Sequence, residues 1–557
     1  MRRARDVVVV ATLLLAIEVV VGDLPATDGD VVSVYRILPK NDTQFQAIRR
    51  LYENATELEL NFWKTSKTLN GFWDVMVDQK VGSSLLQLLD KQEIAYLKTI
   101  DDVQKLIQSK ERRKRPRRLH DDSSNPFYDF HRYGSYGQMV SWMRALARKD
   151  PQHVQFISIG TSHEGRSIDG VEIGSRDRTK RIFWIDGGIH AREWAAPHTA
   201  LYFIHQLTSR YKTDPTIKKL LEEITFVIIP CVNPDGYEFT RSSTNPHIRL
   251  WRKNRSSMQC RKDSWGRNRC CRGVDLNRNF DFHFKESGSS DDPCSEIYQG
   301  TGAFSEPEAR AVRDAILSRR YKGRVDAFIT LHTYSQIWIH PYGHRKDSYP
   351  GDIQELYDVG KKAAKALQDV YGTKYVVGSG ADTLYPASGG SEDWAKHAGG
   401  VKYVYLLELR PDEKNWDGFI LGESELVPTA RETWEGVKVV ATAVLERAQH
   451  KSEAIVQISP CEQLKQFKAK FPIFIFKVPN IYTTKPSQYI SNTCNFIIYT
   501  TDQEAPTAKR FRFGDGTEGS CYDLRHACKR WVSERPELCR TVPIFMRENC
   551  AYSCGKC

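Results

Sequence analysis

Apolar and polar positions divide the chain into two structured stretches with different rhythms. Between residues 23 and 118 short pieces alternate: DVVSVYRILP (30–39), ELNFWKT (59–65) and FWDVMVD (72–78) switch between apolar and polar at period two and predict strands. TQFQAIRRLYEN (43–54) and SSLLQLLDKQEI (83–94) carry helical spacing. The expectation is a small α+β open sandwich with two helices on one face. From about 125 to 450 the runs are longer. RIFWIDGG (181–188), ITFVIIPCVNPDG (224–236), VDAFITLHTYS (325–335) and KYVYLLELR (402–410) are almost continuously apolar and end in polar residues. Such runs suit strands covered on both faces, so the expected class is α/β, with a mixed central sheet flanked by helices. PTARETWEGVKVVATAVLERA (428–448) predicts an amphipathic helix with Trp434, Val437, Val440, Val444 and Leu445 on one stripe. Strand-like pieces also occur in 451–520, a linker or extension to which the pattern assigns no role.

Charge and cysteine usage change this picture in three places. MRRARDVVVVATLLLAIEVVVG (1–22) has the basic start, apolar run and small-residue end of a secretory signal, with Glu18 unusual inside the run. No later segment reaches the ~20 apolar residues that a membrane span requires. The formal net charge is +12, which by itself would admit nucleic acid as a partner. Half of that excess sits in KERRKRPRR (110–118), and Arg115, Arg117 and Arg118 form an R-x-R-R signal for a processing protease cutting after Arg118. Removing it removes the main support for nucleic-acid binding, and residues 23–118 then read as a prosegment. Of 13 cysteines, six fall in 521–557 as C-x6-C-x10-C-x10-C-x3-C-x2-C, the density of a disulfide-stapled unit in an exported protein. The odd total implies at least one unpaired thiol or a disulfide to an external partner, and Cys231 in its apolar run is the candidate for a buried free thiol. Cys260 with Cys270 and Cys461 with Cys494 are further candidate pairs. Sequons stand at Asn41, Asn54 and Asn254, the last near the expected cleft.

The candidate chemistry lies past the ends of the predicted strands, where open α/β sheets collect functional residues. His190-x-x-Glu193 alone is a weak signal. His332 adds a third donor from another strand end, and a catalytic zinc takes three such ligands with one position left open. Glu408 offers a carboxylate free to accept a proton. His198, His340 and His344 read as structural or surface histidines.

GGIHAREW, NPDGYEFT, RLWRKNRS, GVDLNRNF, CSEIYQG, LHTYSQIWIHPYG, LYPASGGSEDW and LLELR occur in this order over residues 187–410. Through them the region 119–450 resembles the funnel-type zinc metallocarboxypeptidases of the pancreatic A/B class. Residues 23–118 resemble their activation segment, and 521–557 resemble a ShK-toxin-like (ShKT) domain. The resemblance implies Zn²⁺ on His190, Glu193 and His332, with Asp275 orienting the first histidine. Glu408 would be the general base, and Arg252 would stabilise the oxyanion. Asn277, Arg278 and Tyr385 would hold the substrate's terminal carboxylate, with Arg192 contacting the peptide further upstream. By the same resemblance Glu392 would floor the specificity pocket and Gly380 would leave room for a long side chain, which implies preference for C-terminal Lys or Arg. Gly343 is small as well but does not separate basic from apolar preference. The resemblance further implies the bridges Cys271–Cys294, Cys521–Cys557, Cys528–Cys550 and Cys539–Cys554. The partners expected are peptide or protein C-termini, the processing protease and an extracellular-matrix ligand for the terminal unit, with no nucleic acid. A competing expectation is a catalytically silent exported binding protein using its cysteine-rich tail. Loss of a ligand or of the base would mark it, and every one of those positions is filled.

Overall fold

The computed structural model describes residues 31–66, 68–69, 71–111, 127–175, 177–262 and 266–457. The signal, the Arg118 cleavage site, residues 458–520 and the terminal cysteine unit lie outside the described residues.

The prosegment is a four-stranded antiparallel sheet in the order β2-β3-β1-β4, from β1 (Val32–Leu38), β2 (Asn61–Lys64), β3 (Trp73–Asp78) and β4 (Ala95–Ile100). The expected helices form at Asp42–Glu53 and Gln79–Lys91, the first started by the Asn41 side chain accepting from Gln44 N. Their apolar faces meet Tyr35, Ile37, Val75 and Val77 on one side of the sheet. Strand β4 and the helix Val103–Lys110 were not anticipated. In β4 only Ile100 is buried, so no apolar alternation announces it.

The larger domain is built on an eight-stranded sheet. Its strands are β5 (Val154–Thr161), β6 (Ser167–Ile173), β7 (Arg181–Gly187), β8 (Ile224–Ile229), β11 (Val325–Thr333), β12 (Ile337–His340), β13 (Val376–Ser379) and β14 (Tyr403–Leu409), in the order β13-β12-β14-β11-β7-β8-β6-β5. A separate hairpin, β9 (Gln259–Lys262) with β10 (Asn268–Cys271), stands apart. The neighbours β14, β11, β7 and β8 run parallel, whereas β6 against β8, β5 against β6 and β12 against β14 are antiparallel, so the sheet is mixed.

The near-continuous apolar runs follow from burial on both faces. Phe183, Ile185, Ile329, Leu331, Tyr405 and Leu407 point to one layer, which contains the helices Tyr136–Lys149, Ala195–Arg210, Ile353–Tyr371 and Leu426–Gln457. Ile182, Trp184, Phe328 and Val404 point to the other, with the helices Pro307–Ile316 and Ser391–His397. The predicted stripe is the buried face of the last helix, from Trp434 to Leu445. That helix runs to Gln457, past the expected boundary at 450. Among the described residues no helix is long and apolar enough to cross a membrane.

Candidate active site

Three adjacent parallel strands deliver the central groups. The chain leaves β7 at Gly187, turns at Gly188 with φ +62°, and presents His190 and Glu193 just before the helix Ala195–Arg210. At Gly188 an added Cβ would lie 3.1 Å from Cys231 Sγ, so both the backbone angle and the close approach require glycine. His332 is near the carboxyl end of β11 and registers directly with Glu408 on β14.

His190 Nδ1 lies 2.7 Å from Glu193 Oε1 and 3.1 Å from His332 Nδ1, which is itself 3.1 Å from Glu193 Oε2. All three residues are buried, and their ligating atoms fall within 4.8 Å of one another. The other nitrogen of His190, Nε2, meets Asp275 Oδ1 at 3.1 Å, which aims Nδ1 at the cluster. Asp275 is fixed in turn by Arg252, whose Nε donates to Oδ2 at 3.0 Å, and by Asn277 N at 3.0 Å. Burial opposes its ionisation, but Arg252, Arg278 and His190 hold its carboxyl well below the usual range. Glu193 is likewise held low by His190 and His332 against burial.

Glu408 differs. Its Oε2 is buried and has no hydrogen-bond partner. Burial, then the Glu193 charge, push it up to about 8, and a divalent cation on the neighbouring donors acts in the opposite direction. Two imidazoles and a carboxylate converging beside an orphaned carboxylate oxygen fit a zinc site that keeps one position for chemistry.

The donors open into a cavity of about 1230 Å³ that collects every proposed substrate contact. Arg278 reaches it with Nε donating to Gly288 O at 2.8 Å and its guanidinium 6.0 Å from the Tyr385 ring. Asn277 Oδ1 accepts from Ser391 N at 2.8 Å. Glu392 is 7% exposed, and its carboxylate receives Asn277 Nδ2 at 3.4 Å. Among the described residues no lysine or arginine pairs with it. A Cβ built at Gly343 would lie 3.9 Å from Glu392 Oε1, and one at Gly380 would lie 3.5 Å from Gly343 Cα, so these glycines border the passage to the carboxylate. Ile339, Leu384 and Leu406 form apolar walls.

Sequence reasoning passed over two features of this site. Asp393, beside Glu392, has Oδ2 accepting from Gly343 N at 2.8 Å, and burial with the Glu392 charge pushes its carboxyl well up. The cavity is also roofed by the prosegment, whose residues from Tyr52 to Thr65 contribute to its lining. Trp63 packs edge-on against Phe419 at 5.6 Å, and the Arg192 guanidinium lies 4.0 Å over the same Phe419 ring. Arg192 also donates to Leu250 O at 3.4 Å and faces Glu296 at 3.7 Å. The prosegment is anchored by Arg249 Nε donating to Glu111 Oε1 at 2.7 Å, by Lys110 with Asp417 at 2.8 Å and by His247 with Asp78 at 2.8 Å. No sequence signal announced these contacts, since each joins residues far apart in the chain.

Disulfides close Cys260–Cys270 across the β9–β10 hairpin and Cys271–Cys294 beside the cavity, and Cys231 is free and buried. Asn254 is fully buried, with Nδ2 donating to Glu306 at 2.8 Å and Glu308 at 3.0 Å. His198, His340 and His344 are all buried.

Comparison with known proteins decides the family. The zinc carboxypeptidase model matches residues 139–436. The chain belongs to the zinc carboxypeptidase family. This zinc carboxypeptidase also matches the carboxypeptidase activation peptide over 35–110 and the ShK domain-like model over 520–557. It is 43% identical over 316 residues to carboxypeptidase B of Astacus astacus, an alignment covering 57% of this chain and 98% of the relative. To carboxypeptidase A2 of Mus musculus it is 36% identical over 407 residues, covering 73% and 92%. Among solved structures it resembles thrombin activatable fibrinolysis inhibitor with TM-score 0.65 and 32% identity, covering 75% of this chain and 100% of that one. The protein is therefore a zinc-dependent metallocarboxypeptidase made as a zymogen, with substrates defined by their C-termini.

Proposed function

We propose that this zymogen is secreted and, once cut after Arg118, removes C-terminal Lys or Arg from peptides. The carrying observation is Glu392, a buried carboxylate lining the cavity without a cationic partner among the described residues. A basic side chain entering between Gly343 and Gly380 supplies that partner, whereas an apolar one leaves the charge buried and unpaired. The relative named carboxypeptidase B supports the same reading.

In the reaction we assign, His190, Glu193 and His332 hold Zn²⁺, with Asp275 fixing the His190 ring. Bound there, zinc supplies a Lewis acid that makes water nucleophilic at neutral pH. Glu408, its Oε2 uncommitted, takes the proton of the attacking water and passes it to the leaving amine. Arg252 donates to the oxygen that gains charge in the transition state, an interaction of about 2.7–4 kcal/mol in comparable sites. Asn277, Arg278 and Tyr385 bind the terminal carboxylate, Arg offering a two-pronged hydrogen bond, and Arg192 steadies the upstream peptide. Residues 1–22 serve as the signal, 23–118 as the removable inhibitor and 119–450 as the enzyme. The 451–520 segment leads to a disulfide-paired tail, 521–557, that binds an extracellular partner.

The test is release of Lys, Arg, Phe and Leu from matched peptides by the processed protein, with and without a chelator, alongside zinc content. Chelator-sensitive release led by Lys and Arg is expected. Preferred release of Phe overturns the specificity assignment, and absence of zinc from the folded protein overturns the site.

A further inference from the structure

The spacing His-x-x-Glu occurs again at His283 and Glu286, in the loop that follows the GVDLNRNF motif. As at the catalytic centre, a histidine distant in sequence completes the set. The His283 and His344 rings stack with centroids 3.9 Å apart at 6°, and His283 Nδ1 bonds the Glu286 carboxylate. In-plane lone pairs of parallel rings do not converge, so sharing an ion requires the exposed His283 ring to turn. One donor atom from each of the three residues lies within 4.8 Å of the others. The two loop residues are exposed, but His344 is only 4% exposed, and its Nδ1 is buried without any hydrogen-bond partner.

A buried imidazole nitrogen with no partner is costly unless something else engages it. Burial, then the neighbouring His283, lower the proton affinity of His344. Its lone pair is thereby kept available. Lys285, between His283 and Glu286 in the sequence, pairs with Asp291 at 2.5 Å. We propose that His283, Glu286 and His344 form a second metal site, selective for zinc-like divalent transition ions. Two nitrogens and one carboxylate oxygen match that class, whereas Ca²⁺ and Mg²⁺ take all-oxygen shells.

The position gives the ion a task. Ser287 Oγ donates to His344 O at 2.6 Å, and Gly389 N donates to Phe282 O at 2.9 Å. The loop therefore already touches the two segments that carry Gly343 and Glu392. An ion here fastens the loop to the outer wall of the specificity pocket, separate from the ion on His190.

The experiment is equilibrium dialysis of the full chain against graded free Zn²⁺, with bound zinc counted by mass spectrometry. Wild type is expected to take up two ions. The double variant His283→Asn with Glu286→Gln, both at exposed positions, is expected to hold one, with an unchanged melting temperature in chelator. Glu408→Gln, a control for a second ion crowding into the catalytic centre, is expected to hold two. A wild type that saturates at one ion overturns the proposal. So does a second ion that survives in the double variant.

Discussion

Glu111 and Arg249 form the anchor whose loss has the clearest consequence. Arg249 is 0% exposed and Glu111 3%, and the pair joins the end of the prosegment to the catalytic domain. Removing one partner of a buried ion pair typically costs about 3–5 kcal/mol, because the other charge stays buried and uncompensated. Arg249 keeps two supports, a hydrogen bond to Arg192 O at 3.0 Å and a stack on Trp194 at 3.6 Å. In Glu111→Gln a carbonyl remains to accept from Nε, so the expected loss is roughly 2–3 kcal/mol. Once the prosegment lifts away, water reaches Arg249, so the loss falls on the seated state. At 1.36 kcal/mol per decade that is roughly a 30- to 160-fold rise in the unseated fraction. The assay is the basal activity of a zymogen made uncleavable by Arg118→Ala, with and without Glu111→Gln, on a peptide ending in arginine. Cleavage at the proposed Arg118 site would discard Glu111, so the two enzymes processed from cleavable parents would be chemically identical and serve as control. An unchanged basal activity would refute the reasoning.

Three further outcomes are expected. Glu392→Ile should reverse the ratio of kcat/KM for arginine- against leucine-terminated peptides by about two to four decades, the worth of one buried charge pairing; an unaltered ratio removes Glu392 from the pocket floor. His247, raised above its ordinary 6.5 mainly by its hydrogen bond to Asp78, should add to zymogen stability fully below that value. The contribution should fade as pH rises through the higher folded value. The pair is solvent-exposed, so the effect stays below about 1 kcal/mol, and His247→Gln should flatten that part of the melting-temperature profile. Asn254→Asp should lower stability by about 3 kcal/mol or more in urea titration, since it replaces the donor to two buried carboxylates with a third acidic group; glycopeptide mapping should find no glycan at Asn254.

What could be read from the sequence follows from where burial is symmetric. Strands β7, β8, β11 and β14 are apolar on both faces and so stand out as runs. Strand β5, though eight residues long, lies at a sheet edge with burial that does not alternate, and β12 and β13 are four residues each, too short to carry a detectable period. The residues assigned to the reaction were legible because their motifs sit where strands end. His283, Glu286 and His344 were not, although the first two repeat the ligand spacing, because nothing local ties them to a histidine nearly sixty residues later. The Trp63–Phe419 and Glu111–Arg249 contacts left no trace for the same reason: neither side is unusual until the two are brought together.

The ring of Phe419 is shared between Trp63 of the prosegment and Arg192 of the enzyme, and Gly418, at φ +57°, would clash with Trp63 if it bore a side chain. Cutting the chain therefore does more than clear an obstruction. It strips an indole from a cation-backed aromatic shelf at the mouth of the funnel and leaves that shelf bare. Trp63 and Arg192 thus meet on one ring that also lines the cavity, so the surface that seats the prosegment and the surface that faces the cavity share the same few atoms.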